Sequence, residues 1–396
     1  MSEKLPSLFL KRGSAGPTWG RHPWIFSQAL QTPSGKTLDG SEVAVYDDKK
    51  VFLGYGIFNS KSNIRVRMYS FSETNRLTEK FFGEKINAAI ELRDKILRLT
   101  PESPRRLIFS ESDNLSGLTV DQFGNSLAVQ FTSLALWMRR DSILKQLQSA
   151  LPSIKSILLR SSQAMEKLEG FVQADEWVLG NAPDQLIIQE NAVRYELDLE
   201  RGHKTGFYID QRDNRALARH FAKGAEVLDL CCYTGGFALN IAAAGAKMVT
   251  GVDSSDKAIQ SAKRNAELNG LTDNCEFVEA DIYDFLETQD AASFDLIVLD
   301  PPRLAPNRAA KDRAIRSYFR MNEEALKRLR PGGIFISCSC SGAISPQDFA
   351  SLLQSVARRL KRDMQFLDQR GPGADHPVFA SCPETQYLKC FVSRVH

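Results

Sequence analysis

The sequence lacks the features that define several large functional classes. Its 396 residues contain no apolar run near the ~18 residues that a membrane-spanning helix needs, and its first residues lack the apolar stretch of a secretory signal. All seven cysteines follow residue 230, and none forms a CxxC pair or a zinc-finger spacing with histidine. We therefore expect no membrane contact, no disulfide framework and no metal site, in a protein of the reducing cytoplasm.

The chain also carries little net charge. Its 51 Lys and Arg against 48 Asp and Glu give +3, which excludes a polycation that coats nucleic acid by charge alone. The charges are nevertheless segregated, because residues 1–70 carry net +5 and residues 301–330 net +6, which leaves −8 elsewhere. Basic patches of this kind suit contact with phosphates, although a solvated helix face is the alternative for much of the second patch.

Hydrophobic patterning predicts three domains. Residues 1–72 contain short apolar and alternating strands between turn residues, which predicts a small β-barrel. Residues 73–200 combine hairpins with a helix from about Thr78 to Leu99, which indicates an α+β domain. Strands and helices alternate strictly over much of residues 201–396, so an α/β fold with a parallel sheet covered on both faces is expected there. Its last two strands follow each other without a helix and predict a final antiparallel pair.

Acidic residues mark the strand ends of this third domain. Asp229, Asp253, Asp281 and Asp300 each fall at or near the C-terminal end of consecutive predicted strands. Ligands of such sheets bind outside these strand ends, and four acids at one edge repel each other unless they face ligands or donors. A helix N-cap is the alternative role for any one aspartate. Four aspartates in register favour a ligand site.

The turn after the first of these strands narrows the ligand class. Tyr233-Thr234-Gly235-Gly236 lets a ligand approach the backbone at a helix N-terminus, but it lacks the G-x-G-x-x-G spacing of a dinucleotide site. Asp253 suits a ribose diol, and Asp281 suits an adenine amino group. Adenosine without a pyrophosphate indicates S-adenosylmethionine as the cofactor.

Two further features point to the chemistry. Asp300-Pro301-Pro302-Arg303 forms a rigid turn that can hold a carboxylate against a planar base, although Pro also simply punctuates loops.

Cys340 lies at the C-terminal end of the next strand, and Cys338, on the same face, is expected to be a core thiol. A Cys340 thiolate that adds to carbon 6 of a pyrimidine makes carbon 5 nucleophilic, while Asp300 hydrogen-bonds ring nitrogen 3. We therefore predict these two residues as catalytic.

The arrangement resembles the class I methyltransferase family, whose Rossmann-like domain has this strand and helix order. The resemblance implies a seven-stranded mixed sheet that ends in an antiparallel hairpin. It also implies a cofactor site in which Asp253 and the adjacent Ser254 hold the ribose and Asp281 with Ile282 holds the adenine. The turn from Asp229 through Tyr233, Thr234 and Gly235 would then hold the methionine part.

The chain as a whole resembles the PUA-domain-containing cytosine-C5 methyltransferases of large-subunit ribosomal RNA. Six segments carry the resemblance: Leu10–Gly13, Arg21–Phe26, Glu111–Leu115, Gly117–Asp121, Gly202–Arg212 and Asp375–Pro377. It implies that Phe207, Tyr208 and Gln211 contact the cofactor, that Cys340 is the nucleophile, and that a homodimer is possible. Arg303 stands where relatives commonly have Lys, and Cys338 where an aromatic residue is typical.

RNA suits this chemistry better than duplex DNA does, because the target base must be splayed out to reach the thiol. The RNA contacts are predicted on the two basic patches, at Lys11, Arg12, Arg21, Arg303, Arg308 and Lys311. Two alternatives stay open. The first is methylation of a base nitrogen, for example in guanine, which needs no thiol. The second is a noncatalytic RNA-binding module with a vestigial cofactor fold.

Overall fold

The computed structural model describes residues 5–32, 37–200 and 206–396. The chain forms two compact units, each assembled from separated segments. The first unit contains residues up to 186 together with 197–207 and 374–385, and the second contains 187–196, 208–373 and 386–396. Residues 202–205, the first part of the Gly202–Arg212 segment that carries part of the family resemblance, lie outside the described residues.

The first unit begins with a five-stranded sheet. Its strands are β1 (Ser7–Phe9), β2 (Trp24–Phe26), β3 (Glu42–Tyr46), β4 (Phe52–Phe58) and β5 (Ile64–Ser70), and a short helix α1 (Gly16–Trp19) precedes β2. The strand order is β1-β3-β4-β5-β2. The edge strands of this sheet are β1 and β2. Leu10 follows β1, Leu30 comes four residues after β2, and an antiparallel bridge between these two residues joins the two edges. The predicted small barrel is thereby confirmed, with alternating side chains such as Val43, Val45 and Val66 in its core.

A second sheet follows in the same unit. Its elements are α2 (Glu79–Glu91), β6 (Arg105–Phe109), β7 (Leu118–Phe123), β8 (Ser126–Phe131), α3 (Leu134–Trp137), α4 (Arg140–Ala150), β9 (Ser156–Leu159), α5 (Gln163–Glu169) and β10 (Glu176–Leu179), with strand order β10-β9-β8-β7-β6. The Thr78 hydroxyl accepts from the Phe81 amide and begins α2 as predicted. The α-helical part ends at Glu91, and a π-helical turn at Leu92–Ile96 continues the helix to three residues before the predicted end near Leu99.

The Asp375 motif completes the first unit. The Asp375 carboxylate accepts from the Arg106 amide at 2.9 Å, and its carbonyl accepts from the Arg93 guanidinium at 2.7 Å. The adjacent His376 ring is buried against Phe109, with ring centroids 5.2 Å apart. These contacts give the motif a structural role in joining a late segment of the chain to β6.

The second unit contains the predicted α/β fold. After the hairpin of β11 (Leu186–Glu190) and β12 (Val193–Leu197), its elements are α6 (Arg212–Ala218), β13 (Glu226–Leu230), α7 (Gly236–Ala242), β14 (Met248–Asp253), α8 (Asp256–Asn269), β15 (Cys275–Glu279), α9 (Ile282–Glu287), β16 (Phe294–Leu299), α10 (Lys311–Arg328), β17 (Leu329–Ser339), α11 (Pro346–Arg359), β18 (Met364–Arg370) and β19 (Lys389–Val395). The seven strands β13–β19 form one sheet in the order β15-β14-β13-β16-β17-β19-β18.

The pairing within this sheet confirms the predicted mixed architecture. The five strands β13 to β17 run parallel to one another, whereas β19 pairs antiparallel with both β17 and β18. Residues on both alternating faces of β13 and β16 are buried, so the sheet is covered on each side. The register places the carboxyl ends of the parallel strands along one edge. Among the described residues, every helix is too short or too polar to cross a bilayer.

A buried ion pair attaches the β11–β12 hairpin to the second unit. The Arg215 guanidinium donates to both carboxylate oxygens of Glu190 at 2.6 Å, and the side chains are only 3% and 0% exposed. Removal of one partner from such a pair leaves an uncompensated charge in the interior.

We therefore expect Arg215→Met to lower the free energy of unfolding by about 3–5 kcal/mol, measured by chemical denaturation. The matched control is Lys247→Met, which breaks the exposed Lys247–Glu226 pair and is expected to cost less than about 1 kcal/mol. Equal losses in the two variants would contradict the assignment of Arg215 as a structural anchor.

Candidate active site

The four aspartates predicted at the strand ends lie on one edge of the second unit. β15, β14, β13 and β16 are consecutive neighbours in the sheet, so their C-terminal ends meet. Cys231, which follows β13, reports their proximity: burial raises the pKa of its thiol, and the charges of Asp253, Asp300, Asp229 and Asp281 raise it further. The structure therefore brings together the acids that the sequence indicated.

Asp229 is the buried member of this group. Its carboxylate is 1% exposed and accepts a hydrogen bond from the Ala238 amide in α7 at 2.9 Å. Burial raises the pKa of Asp229 to about 8, and the charges of Asp300 and Asp253 act in the same direction. Asp229 thus holds the first turn of α7 from within β13, whereas the N-cap residue of that helix is Gly235.

Asp253 and Asp281 also accept backbone hydrogen bonds. The two carboxylate oxygens of Asp253 accept from the Tyr233 and Ser255 amides, each at 3.0 Å. Asp281 caps α9 by accepting from the Tyr283 amide at 2.8 Å. Both carboxylates keep solvent exposure, whereas Asp229 does not. Ser254 beside Asp253 is exposed, and Ile282 beside Asp281 is buried.

The turn between β13 and α7 is strained. Cys231, Tyr233 and Gly235 all have positive φ, at 61°, 50° and 82°, and such conformations of non-glycine residues concentrate at ligand sites. A side chain at Gly235 would place its Cβ 3.0 Å from the Phe277 ring. The Thr234 hydroxyl is buried and has no hydrogen-bond partner within the part of the chain that the structure describes. An orphaned buried hydroxyl in a strained turn is the arrangement that a bound polar ligand would satisfy.

A chain of hydrogen bonds orients Asp300, which directly follows β16. The Gln211 amide donates to Asp300 Oδ2 at 2.9 Å, and the Asn214 amide donates to Gln211 Oε1 at 2.6 Å. The Arg370 guanidinium in turn donates to the side-chain oxygen Oδ1 of Asn214 at 3.0 Å. Gln211, predicted as a cofactor contact, thus holds the carboxylate that was predicted to face the base.

Cys340 lies directly after β17, beside the loop that Asp300 begins. Its Sγ is 4.0 Å from the Pro301 carbonyl oxygen, and the side chain is half-buried. Cys338 is fully buried opposite Cys390, and a hydrogen bond to the Cys390 thiol together with burial raises the pKa of Cys338 well above its usual value. The geometry therefore favours Cys340 over Cys338 as a nucleophile.

Ser341 joins these two loops, and sequence reasoning missed it. Its hydroxyl oxygen accepts from the Leu304 amide at 3.2 Å and from the Ala305 amide at 3.0 Å. The same oxygen lies 3.1 Å from the Tyr318 hydroxyl of α10. The only available sequence signal was its position directly after Cys340.

The aromatic residues predicted for the cofactor fall in different places. The Tyr208 and Tyr233 rings pack edge to face, with centroids 5.2 Å apart. Burial raises the pKa of Tyr208. The charges of Tyr233, Asp300 and Cys340 raise it further, which places Tyr208 within electrostatic range of these groups. Phe207 is buried and belongs to the first unit.

The predicted RNA contacts are mostly exposed. Lys11, Arg12 and Arg21 are exposed in the first unit, as are Arg303 and Arg308 in the second. The Arg303 guanidinium folds back onto the Pro306 carbonyl oxygen at 2.9 Å. Lys311 differs, because its ammonium pairs with Asp348 at 2.8 Å and helps to hold the pKa of that carboxyl at about 2.

One group in the first unit has the residue types of a metal site. His22, Cys382 and Glu384 place possible ligand atoms within 4.8 Å of one another. The Trp24 amide donates to His22 Nδ1 at 3.2 Å, so the neutral ring carries its proton on Nε2, which lies 3.2 Å from Glu384. Ordinary hydrogen bonds account for this group, and the expected lack of a metal stays a prediction.

Comparisons with known proteins identify the family. Residues 161–387 match a family model described as S-adenosylmethionine-dependent methyltransferase, and residues 8–71 match a PUA-like domain. The chain belongs to the S-adenosylmethionine-dependent methyltransferases. S-adenosylmethionine is accordingly the cofactor of this methyltransferase, and the orphaned Thr234 hydroxyl and the strand-end acids fit a polar nucleoside ligand of that kind.

Relatives cover nearly the whole methyltransferase. "Ribosomal RNA large subunit methyltransferase I" of Serratia proteamaculans is 38% identical over 392 residues, which span 98% of this chain and 99% of the relative. The protein of that name from Pseudoalteromonas atlantica is 37% identical over 378 residues, or 95% of each chain. A solved SAM-dependent methyltransferase from Streptococcus mutans shares the fold, with a TM-score of 0.83 at 20% identity over 98% of this chain and 100% of that one.

The ionisation of Asp229 generates a prediction about stability. Because its folded-state pKa of about 8 lies above its unfolded value near 3.8, the folded state binds the proton more tightly between these values. Stability relative to Asp229→Asn is therefore expected to fall as pH rises from about 4 to 8, by about 1.4 kcal/mol per pH unit at most, and to level off above 8.

Denaturation of the cofactor-free protein across this pH range tests the prediction. The amide oxygen introduced by Asp229→Asn can still accept from the Ala238 amide, so the variant preserves the hydrogen bond while it removes the charge. A constant stability difference between the two proteins from pH 5 to pH 8 would show that Asp229 does not take up a proton on folding.

Proposed function

We propose that this methyltransferase transfers a methyl group to carbon 5 of a cytosine in large-subunit ribosomal RNA, through a covalent adduct with Cys340. The names of the relatives support the choice of RNA. The observation that carries the proposal is the half-exposed Cys340 thiol at the end of β17, 4.0 Å from the carbonyl of the residue that follows Asp300.

The chemistry of a pyrimidine explains why a thiol is required. Carbon 5 of cytosine is not nucleophilic, but addition of the Cys340 thiolate to carbon 6 converts it into an enamine-like carbon. A hydrogen bond between the Asp300 carboxyl group and ring nitrogen 3 favours this addition, while Gln211 holds that carboxyl group in place. S-adenosylmethionine supplies the electrophilic methyl group when it is bound. Transfer of the carbon 5 proton to water then expels Cys340 as the thiolate and restores the carbon 5–carbon 6 double bond.

The cofactor is held, in this proposal, by the residues around the strand ends. Asp253 with Ser254 takes the ribose, and Asp281 with Ile282 takes the adenine. The strained turn takes the methionine part through Tyr233, Thr234 and Gly235, and Tyr208 packs beside it.

The RNA phosphates are contacted, in the same proposal, by exposed basic residues of both patches: Lys11, Arg12, Arg21, Arg303 and Arg308. Lys311 contributes its charge to the patch of residues 301–330 while it pairs with Asp348.

We expect Cys340→Ser to abolish methylation while binding of S-adenosylmethionine persists, because a hydroxyl does not form the required nucleophile. Cys338→Ser is the matched control, since it makes the same change two residues away at a buried position, and it is expected to retain methylation once folded. The measurements are methyl incorporation into ribosomal RNA and calorimetry of cofactor binding.

RNA that contains 5-fluorocytosine distinguishes the mechanisms. Fluorine blocks the final proton loss, so the wild-type protein is expected to form a covalent adduct that Cys340→Ser cannot form. Mass analysis of the methylated nucleoside must then give 5-methylcytosine. Methylation without a trapped adduct, with a nitrogen-methylated product, would overturn the proposal in favour of base-nitrogen transfer.

The basic patch of residues 1–70 generates a prediction about salt. If Arg12 and Arg21 contact phosphates, Arg12→Ala and Arg21→Ala each weaken RNA binding and reduce the slope of log affinity against log salt by about 1. Lys263→Ala, an exposed change outside both basic patches, is expected to leave the slope unchanged. Binding titrations at several salt concentrations measure this, and equal slopes in all variants would exclude the patch.

A further inference from the structure

Lys389 is a buried cation that the mechanism above does not use. It begins β19 and pairs with Ser339 of β17, one residue before Cys340. The residue is 1% exposed, so it does not reach solvent or a bound base. Lysine is almost never fully buried unless its charge is paired.

Two neutral carbonyl oxygens hold the ammonium of Lys389. It donates to the Ser341 carbonyl at 2.6 Å and to the Tyr387 carbonyl at 2.8 Å. Within the described part of the chain, no carboxylate oxygen lies within 4.0 Å of it. Burial accordingly lowers the pKa of Lys389 to about 8, and the positive charge of Arg303 lowers it further, whereas Cys340 and Asp348 act to raise it. A buried cation kept without a close counterion implies a use for its charge.

The other cation on an element that packs against Cys340 is Arg303, which lies two residues after the Pro301 carbonyl that contacts Sγ. Its guanidinium is exposed and donates to the Pro306 carbonyl oxygen at 2.9 Å. Tyr208 and Tyr318 interact electrostatically with the thiol and carry no positive charge. Asp300 precedes the Pro301 carbonyl that contacts Sγ, and its ionised form would disfavour a thiolate. Lys389 is a buried cation whose charge favours the ionised thiol.

We propose that Lys389 is a positioning residue that stabilises the thiolate of Cys340 and fixes the backbone that carries it. This inference rests on the proposed function. Through the Ser341 carbonyl the ammonium also holds the residue whose hydroxyl binds the Leu304 and Ala305 amides. When the thiol ionises, its proton passes to water at the half-exposed face, and Lys389 keeps its own proton, so that its positive charge acts on the thiolate.

Thiol alkylation tests this inference without RNA or cofactor. The full-length protein is treated with iodoacetamide from pH 5.5 to 9.5, and modification of Cys340 is followed by peptide mass analysis. Lys389→Met keeps the length of the side chain without its charge and is expected to slow alkylation at pH 7 about tenfold, with the midpoint of the rate profile at higher pH. Ser393→Ala, a buried change in the same strand, is expected to leave the profile unchanged.

An unchanged profile in folded Lys389→Met would overturn the inference. Should that variant not fold, the reciprocal measurement uses the intact lysine. With isotope-labelled lysine, the Lys389 ammonium is expected to titrate at lower pH in Cys340→Ala than in the wild-type protein, because the partner charge is gone. Equal titration midpoints in the two proteins would equally overturn it.

The two proposals fail in different ways. A shifted alkylation profile without a 5-fluorocytosine adduct would retain the Lys389–Cys340 interaction and refute the cytosine mechanism. An adduct with an unshifted profile would retain the mechanism and refute the role of Lys389. Where both hold, Lys389→Met lowers kcat and moves the pH–rate profile to higher pH, while KM for RNA stays close to the wild-type value.

Discussion

The hydroxyl of Ser341 is the contact on which the geometry of the catalytic edge depends. It accepts hydrogen bonds from two consecutive amides of the loop that Asp300 begins, while its own residue follows Cys340. Two loops that leave neighbouring strands are thereby held at one separation. Without this contact the carboxyl and the thiol would lie on independent loops, and loops of this kind are the most mobile parts of a domain. The adjacent Lys389 ammonium secures the same residue through its carbonyl.

The strand-end aspartates show that structural and functional roles need not exclude each other. Asp281 caps a helix and Asp253 accepts two amides, yet both keep exposure toward the edge where ligands bind. Carboxylates fixed by backbone donors are already oriented, so a ligand does not have to order them. Asp229 differs from these two carboxylates, because it is buried and its contacts in the structure are with the protein.

The sequence was sufficient to predict the succession of strands and helices in the α/β fold, the closing antiparallel pair and the positions of Asp253, Asp281, Asp300 and Cys340, because these follow from local hydrophobic periodicity and chain order. It was insufficient for contacts that join distant segments. Gln211 and Asp300 are 89 residues apart, and Lys389 and Ser341 are 48 apart. Nothing in their local patterns marks these pairs. The sequence likewise did not predict the π-helical turn after α2, in which Arg93 donates hydrogen bonds to Asp113 and to the Asp375 carbonyl oxygen.

The position of β19 in the sheet has a consequence for how the molecule is made. β19 is the last strand along the chain, but it lies between β17 and β18 rather than at an edge. One edge of β17 and the whole of β18 therefore stay unpaired until β19 inserts between them. The same strand delivers Lys389 to the side of Cys340. The thiol thus gains its neighbouring charge only when β19 has entered the sheet, so closure of the sheet and assembly of the proposed catalytic edge are one folding event.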